Sequence, residues 1–174
     1  DGVMGPEGRG TIHYFGLQGK IDVDVGTFSK AFGAFGGYIA GKRELKEFAL
    51  NKSRTWLLSA GHPPAVWAMV MAAIDVMLTE PQHLKNLWDN TRYFKAELKK
   101  LGFDTGASET PITPVIVGES AKAQELSRRL FDEGVFALPI VYPMVAKDRA
   151  RIRTMMNAAL TREDLDFALQ KVEK

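Results

Sequence analysis

Apolar positions in the middle of the chain follow the spacing of a helix. After Pro63-Pro64 they recur at steps of three and four residues, which places them on one face of a helix. These positions are Val66, Met69, Val70, Ala73 and Met77. Glu80-Pro81 interrupts the pattern, and a second helix is predicted from about Gln82 to Leu101, with Gly102 as its C-cap. The two long helices are expected to divide the chain into two regions.

On both sides of these helices, short apolar segments near glycine residues predict strands. The predicted strands are Ile21–Val25, Gly37–Ala40, Thr113–Val117, Val135–Val141 and Arg151–Met156. Further helices are predicted over Lys42–Asn51 and over Ala121–Glu133, the second of which Gly134 is expected to stop. A last helix is predicted to begin at the capping box Thr161-Arg-Glu-Asp164. This alternation of strands and helices indicates an α/β or α+β architecture.

Composition limits the classes of function. Of the 174 residues, 45% are hydrophobic and 25% are charged, which is typical of a globular protein. The formal charge is only +2 with both signs interleaved, so no basic face for nucleic acid is expected. The chain has no cysteine, which suits a reducing compartment, and we expect a cytoplasmic protein. No apolar run approaches the length of a membrane span, so no membrane partner is expected either.

The glycine-rich segments do not have the spacing of the common nucleotide-binding motifs. Gly5–Gly10 and Gly33–Gly37 match neither the dinucleotide-binding pattern nor the P-loop. The histidines His13, His62 and His83 are far apart in the sequence and lack partners at metal-ligand spacing, so no metal site is expected.

The turn after the first predicted strand carries Lys30 next to the hydroxyl groups of Thr27 and Ser29. Loops at the carboxyl ends of strands in α/β sheets commonly bind ligands, and hydroxyls with free backbone N–H groups suit a phosphate. A lysine shielded from solvent there could condense with an aldehyde. A solvated lysine in a glycine-rich turn is the simpler interpretation of the same local pattern.

Four segments, in the same order along the chain, resemble the α-oxoamine synthases. These are fold-type-I pyridoxal-phosphate enzymes that join an amino acid to an acyl-CoA. Val25–Gly33, followed by Gly36–Gly41, is similar to the cofactor-lysine segment, and Gly2–Gly10 is similar to the loop before it. Leu58–Pro64 resembles the segment that reaches the cofactor phosphate of the partner subunit in that family. Ala150–Thr154 resembles the strand whose second arginine binds the substrate carboxylate.

The resemblance implies a role for each matching residue. Lys30 would hold pyridoxal 5′-phosphate as a Schiff base and move protons at the substrate Cα. Thr27 would bind the cofactor phosphate, Ser59 is a further candidate for that phosphate, and Arg153 would bind the substrate carboxylate. Arg151 receives no role and is expected to be an ordinary strand residue.

The resemblance also implies a fold and an assembly. The chain would be the C-terminal part of a fold-type-I transferase, with an Asp-x-x-His segment upstream of Asp1 that contacts the cofactor. Residues 1–62 would end a large, mainly parallel-sheet domain, 63–101 would be connecting helices, and 102–174 would form a small α+β domain. We expect this chain alone to be inactive and the intact enzyme to be a homodimer with its active sites at the interface.

Four activities share the family's chemistry. The resemblance of Tyr142–Val145 and Ala150–Ala159 favours a glycine C-acetyltransferase, also called 2-amino-3-ketobutyrate CoA ligase, which condenses glycine with acetyl-CoA to give 2-amino-3-oxobutyrate and CoA. The alternative is 8-amino-7-oxononanoate synthase, which uses alanine and a pimeloyl thioester and decarboxylates. A non-catalytic scaffold with this fold is a second alternative. Ala146 and Leu160 depart from the acetyltransferase pattern, where a proline and a histidine are usual.

Overall fold

The computed structural model describes residues 1–173. They form two compact units, one over Asp1–Leu84 and one from Lys85 onward. The first unit begins with a 3₁₀ turn at Pro6–Gly8 and the short helix α1 (Thr11–Tyr14). Its further elements are β1 (Val23–Thr27), β2 (Gly37–Gly41), α2 (Arg43–Lys52), α3 (Arg54–Leu57) and α4 (Pro64–Thr79). The expected domain boundaries after residues 62 and 101 stay predictions.

Strands β1 and β2 form an antiparallel hairpin whose register runs from Val23 opposite Gly41 to Thr27 opposite Gly37. The connection between them is too short for a parallel crossover. The strand predicted at Ile21–Val25 is displaced towards Thr27, because pairing with β2 rather than apolar character alone sets its ends. Gly26 lies opposite Tyr38, and a Cβ on this glycine would come within 2.1 Å of the Tyr38 ring.

The second unit contains a three-stranded antiparallel sheet and three helices. The elements are α5 (Gln82–Lys100, which begins just before the unit boundary), β3 (Ile112–Gly118), α6 (Ser120–Asp132), β4 (Leu138–Ile140), β5 (Ala150–Met155) and α7 (Arg162–Glu173). The strand order is β3-β5-β4, so β5 is central.

Burial alternates along β5. Ala150, Ile152 and Thr154 are buried, whereas Arg151 and Arg153 are half-buried on the opposite face. The buried face packs against one apolar cluster to which all three helices contribute, with Phe94 and Leu98 from α5, Leu130 from α6, and Leu165, Leu169 and Val172 from α7. Alternating side chains therefore give the sheet one core face and one face that carries two arginines.

Helix ends in the second unit follow the predicted capping residues. Gly102 and Gly134 have φ values of 85° and 89°, in the left-handed region that glycine adopts without strain. The Phe103 N–H donates to the Leu98 carbonyl at 3.0 Å, which completes a Schellman-type end for α5. At the start of α7 the Thr161 N–H donates to Asp164 Oδ2 at 2.8 Å. The Asp164 N–H donates in return to Thr161 Oγ1 at 3.2 Å, so the predicted capping box is confirmed.

The strand predicted over Val135–Val141 is shorter than expected, since only Leu138–Ile140 pair. The Val135 N–H is used at the end of α6, where it donates to the Leu130 carbonyl at 2.7 Å. At the other end, the Val141 carbonyl accepts from the Met144 N–H at 2.9 Å in a turn. At both ends of the predicted strand, backbone groups are therefore used in hydrogen bonds outside the sheet.

Among the described residues, no helix by itself is long and apolar enough to cross a membrane. Helices α4 and α5 meet that test only when they are taken together across the break between them.

Candidate active site

The turn that carries Lys30 is closed by its own backbone. The Phe28 N–H donates to the Gly36 carbonyl at 2.9 Å, and the Ala34 N–H donates to the Phe28 carbonyl at 2.8 Å. Phe28 is only 5% exposed, and its ring stacks on Tyr38 and meets Trp67 edge-on. Backbone bonds and a buried aromatic anchor therefore fix the position from which the Lys30 side chain leaves the turn.

Lys30 and Thr27 are in direct contact. The Lys30 amine donates a hydrogen bond to Thr27 Oγ1 at 3.0 Å. Both side chains line one cleft of about 400 Å³ at the carboxyl end of β1. The other residues of this cleft are Asp1, Arg9, Gly10, Thr11, Ile12, His13, Asp24, Val25, Gly26 and Tyr38. The structure thus brings together two of the residues that the sequence selected.

The glycine-rich loop contributes residues to the same cleft. The Gly2 N–H donates to the Gly8 carbonyl and the Gly10 N–H donates to the Met4 carbonyl, both at 2.7 Å. These bonds close the loop on itself. They need positive φ at Gly2, Gly5, Gly8 and Gly10, which explains why glycine occupies these positions.

Tyr38 and Asp1 are cleft residues that sequence reasoning did not select. The Tyr38 hydroxyl donates to Asp1 Oδ2 at 2.8 Å. Burial raises the pKa of Tyr38, and the nearby Asp24 carboxylate raises it further, so the phenol stays protonated as a donor. Tyr38 could have been found only from the hairpin register, which places it opposite Gly26. This register is known only when β1 and β2 are seen to pair.

His13 is a second residue that sequence reasoning set aside. Its Nδ1 atom is buried and has no hydrogen-bond partner among the described residues, although the side chain lines the Lys30 cleft. A buried polar atom without a partner is uncommon in proteins and is consistent with a group that the cleft receives from outside.

The chemistry of the cleft fits pyridoxal phosphate. The cofactor carries an aldehyde, a phosphate and a polar aromatic ring. Lys30 offers a primary amine for the aldehyde, Thr27 offers a hydroxyl for the phosphate, and the unpartnered imidazole nitrogen of His13 offers a further polar contact. Side chains suited to covalent attachment and to an anion therefore line the same cleft.

Ser59 and Arg153 lie elsewhere. Ser59 is exposed between α3 and α4, and its side chain makes no hydrogen bond within the described part of the chain. It does not line the Lys30 cleft. Arg153 belongs to the second unit, opposite Pro114 and Leu138. Its Nε is buried without a hydrogen-bond partner among the described residues. The roles expected for Lys30, Thr27, Ser59 and Arg153 remain predictions.

Comparisons with known proteins identify the family of the chain. Residues 1–172 match the family described as aminotransferase class I and II. The chain is 55% identical over 173 residues to the 8-amino-7-oxononanoate synthase of Thermoanaerobacter pseudethanolicus, covering 99% of this chain and 44% of that protein. It is 51% identical to the 8-amino-7-oxononanoate synthase/2-amino-3-ketobutyrate coenzyme A ligase of Thermus thermophilus, with 99% and 44% covered.

Solved structures have the same fold. The serine palmitoyltransferase of Sphingomonas wittichii superposes with a TM-score of 0.91 at 26% identity. A high-resolution structure of SPT with a PLP internal aldimine superposes with a TM-score of 0.91 at 28% identity. Each match covers 99% of this chain and 44% of the other. The chain therefore spans less than half the length of each of these four relatives.

These relatives correct the expected activity. The prediction of a glycine C-acetyltransferase is wrong, because several relatives at 50–55% identity are named 8-amino-7-oxononanoate synthase. The Thermus thermophilus protein, at 51% identity, is named for both activities. The misleading motifs surround the expected carboxylate-binding arginine, and all the family's reactions begin from an amino acid with that carboxylate. They carry little information about the acyl group.

Three observations lead to one conclusion. The family match covers nearly the whole chain, a solved relative contains pyridoxal phosphate, and Lys30 lies in a cleft in contact with Thr27. The chain belongs to the aminotransferase class I and II family and is similar to the C-terminal part of pyridoxal-phosphate-dependent enzymes of the α-oxoamine synthase type.

Proposed function

We propose that the full-length protein is an 8-amino-7-oxononanoate synthase. It would condense alanine with a pimeloyl thioester and release carbon dioxide and the free thiol. The observation that carries this proposal is the 50–55% identity to proteins of that name over nearly the whole chain. The contact between Lys30 and Thr27 supports it, because the reaction needs an amine at a phosphate-binding turn.

Each of the four selected residues has a distinct task in this proposal. The bound cofactor supplies an aldehyde and an electron-accepting ring. Lys30 provides the amine that attaches the cofactor, and later it accepts the proton from the alanine Cα. Thr27 donates a hydrogen bond to the phosphate of the same subunit's cofactor, and Ser59 donates one to the phosphate of the cofactor in the partner subunit. The planar guanidinium of Arg153 binds the alanine carboxylate through two parallel hydrogen bonds.

We infer that activity requires more of the protein than this chain. The chain spans 44% of the length of the curated relatives that it matches. We infer that the remaining length supplies the group that holds the pyridine nitrogen protonated. We also infer that the enzyme works as a homodimer, with residues 58–64 contributing to the partner's phosphate site.

The proposal is tested by a substrate panel with the purified full-length protein. We expect 8-amino-7-oxononanoate, detected by mass spectrometry, from alanine and pimeloyl-CoA with pyridoxal phosphate. Glycine with acetyl-CoA is the parallel reaction, and Lys30→Ala is the inactive control. Turnover of glycine and acetyl-CoA without any turnover of alanine and pimeloyl-CoA would contradict the proposal, as would equal turnover by Lys30→Ala.

A further inference from the structure

Positive charge is concentrated at the start of the central strand of the second unit. Lys147, Arg149, Arg151 and Arg153 are four cations within seven residues, and Asp148 is the one acid between them. Lys147 and Arg149 are exposed in the loop that leads into β5, whereas Arg151 and Arg153 are half-buried on the strand. We call the first three of these residues, Lys147, Arg149 and Arg151, the cationic strip.

The cationic strip has no acidic partner within the described part of the chain. None of its three side chains forms an ion pair there. Nearby helices behave differently, since Lys85 pairs with Asp89 at 2.6 Å and Lys122 pairs with Glu119 at 2.8 Å. Lys85 and Lys122 are thus neutralised by carboxylates three or four residues away on the same helix. The side chains of the cationic strip have no such neighbour, so their positive charge can attract an anionic ligand.

The backbone holds the strip in a defined shape. Asp148 has a φ of 59°, a left-handed conformation that turns the chain into β5. The Arg151 Nε donates to the Arg149 carbonyl at 3.0 Å, so one edge of its guanidinium is fixed. The remaining guanidinium N–H groups have no hydrogen-bond partner among the described residues. Arg151 is therefore oriented by the chain and still able to bind an anion.

The surroundings of Arg151 are apolar on both sides. Its neighbours across the sheet are Ile116 in β3 and Ile140 in β4, both half-buried. Arg153 follows one pleat further along the same face. A ligand on this face would meet apolar side chains beside Arg151, with Arg153 on one side and the exposed cations on the other.

We propose that the cationic strip binds the phosphate of the pantetheine arm in the thioester substrate. This inference rests on the proposed function, because pimeloyl-CoA and a pimeloyl carrier protein share a 4′-phosphopantetheine arm. The arm carries a dimethyl-substituted carbon close to its phosphate, which matches apolar neighbours beside an arginine. Guanidinium groups bind phosphate oxygens in pairs, and Arg149 and Lys147 add charge around the same anion. The alanine carboxylate is a separate anion and is assigned to Arg153.

The test measures KM for three pimeloyl thioesters with the full-length enzyme at saturating alanine. The thioesters are those of CoA, of a carrier protein, and of N-acetylcysteamine, which lacks any phosphate. We expect Arg151→Gln to raise KM about tenfold or more for both phosphate-bearing thioesters, with kcat little changed, because binding to a charged group is lost. KM for the N-acetylcysteamine thioester should not change. Arg149→Gln, on the exposed loop, should show the same pattern more weakly.

Controls separate a local effect from a loss of structure. Lys122→Gln removes one positive charge from the same unit at a site already paired with Glu119, and it should leave all three KM values unchanged. An unaltered melting temperature for each variant shows that the fold is intact. A rise in KM for only one phosphate-bearing thioester supports the anion site and identifies which source the enzyme uses.

Two results would overturn the inference. One is an unchanged KM for both phosphate-bearing thioesters in Arg151→Gln and Arg149→Gln. The other is an equal rise for the N-acetylcysteamine thioester, which has no phosphate to lose. Failure of the proposed function looks different, because the unsubstituted enzyme would then not convert alanine and any pimeloyl thioester at all.

Discussion

At the scale of single residues, the contact between Lys30 and Thr27 organises the candidate site. The amine and the hydroxyl are 3.0 Å apart at the end of a strand, in a turn anchored by buried Phe28. The sequence predicted both residues, because the motif places them three positions apart on one turn. It could not predict Tyr38, Asp1 or His13, whose contribution depends on which segments the fold brings to the same cleft.

Replacing Thr27 tests whether this hydroxyl binds the cofactor. Thr27→Val keeps the branched shape and removes the hydroxyl, and we expect the dissociation constant of pyridoxal phosphate to rise about tenfold, since one hydrogen bond to a charged group is lost. Fluorescence titration of the full-length apoenzyme measures it. Thr27→Ser retains the hydroxyl and should bind nearly as well. Equal affinity for the valine and serine variants would remove Thr27 from the phosphate site.

Gly26 tests the close packing behind the cleft. A Cβ at this position would lie 2.1 Å from Tyr38 Cε1. We therefore expect Gly26→Ala to lower the free energy of unfolding by about 1–3 kcal/mol, the usual cost of overpacking. Gly61→Ala is the matched control, because a Cβ there meets nothing within 4 Å. Urea denaturation compares the two, and equal stability would contradict the contact between Gly26 and the ring.

At the scale of elements, the helix ends were predicted best, because capping depends only on residues nearby in the sequence. The caps at Gly102 and Gly134 and the box at Thr161 and Asp164 depend on neighbours within one helical turn, so the sequence reveals them. Strand ends were predicted less well, because pairing with another strand decides them. The four-residue helices α1 and α3 were missed, since neither is long enough to show a helical period.

The capping box of α7 gives a prediction about stability. Thr161→Ala removes the hydroxyl that accepts from the Asp164 N–H, and we expect a loss of about 1 kcal/mol in the free energy of unfolding. Ser120→Ala, at the first residue of α6, removes a hydroxyl that makes no capping bond and should change stability by less than about 0.5 kcal/mol. Equal effects in urea denaturation would show that the box does not stabilise the helix.

The same box gives a dependence on pH. Hydrogen bonds from the Thr161 backbone and then its side chain lower the pKa of Asp164. A carboxyl group whose pKa is lower in the folded state stabilises the fold above its unfolded pKa of about 3.9, and this contribution is lost as pH falls through the folded value. In Asp164→Asn, unfolding should therefore be less sensitive to pH below about pH 4. An unchanged pH dependence would contradict this assignment.

At the scale of the whole molecule, the family was predicted and the reaction was not. Four ordered motifs identified the α-oxoamine synthases, because they match segments around the family's cofactor lysine and its carboxylate-binding arginine. The choice of acyl group was wrong, because these motifs are common to members that use different acyl groups, and this chain spans only 44% of the relatives' length. The sequence identity to 8-amino-7-oxononanoate synthases over nearly the whole chain, rather than any single residue, corrected the choice of acyl group.

The most direct test of the account is to trap the cofactor on its lysine. The full-length protein is incubated with pyridoxal phosphate, reduced with borohydride and digested with trypsin. Trypsin cleaves after Lys20, Lys30 and Lys42, so an unmodified chain gives the peptide Ile21–Lys30. We predict that the label blocks cleavage at Lys30 and gives a modified Ile21–Lys42 peptide, which Lys30→Ala abolishes. Label on another lysine, with Ile21–Lys30 recovered unmodified, would contradict the account.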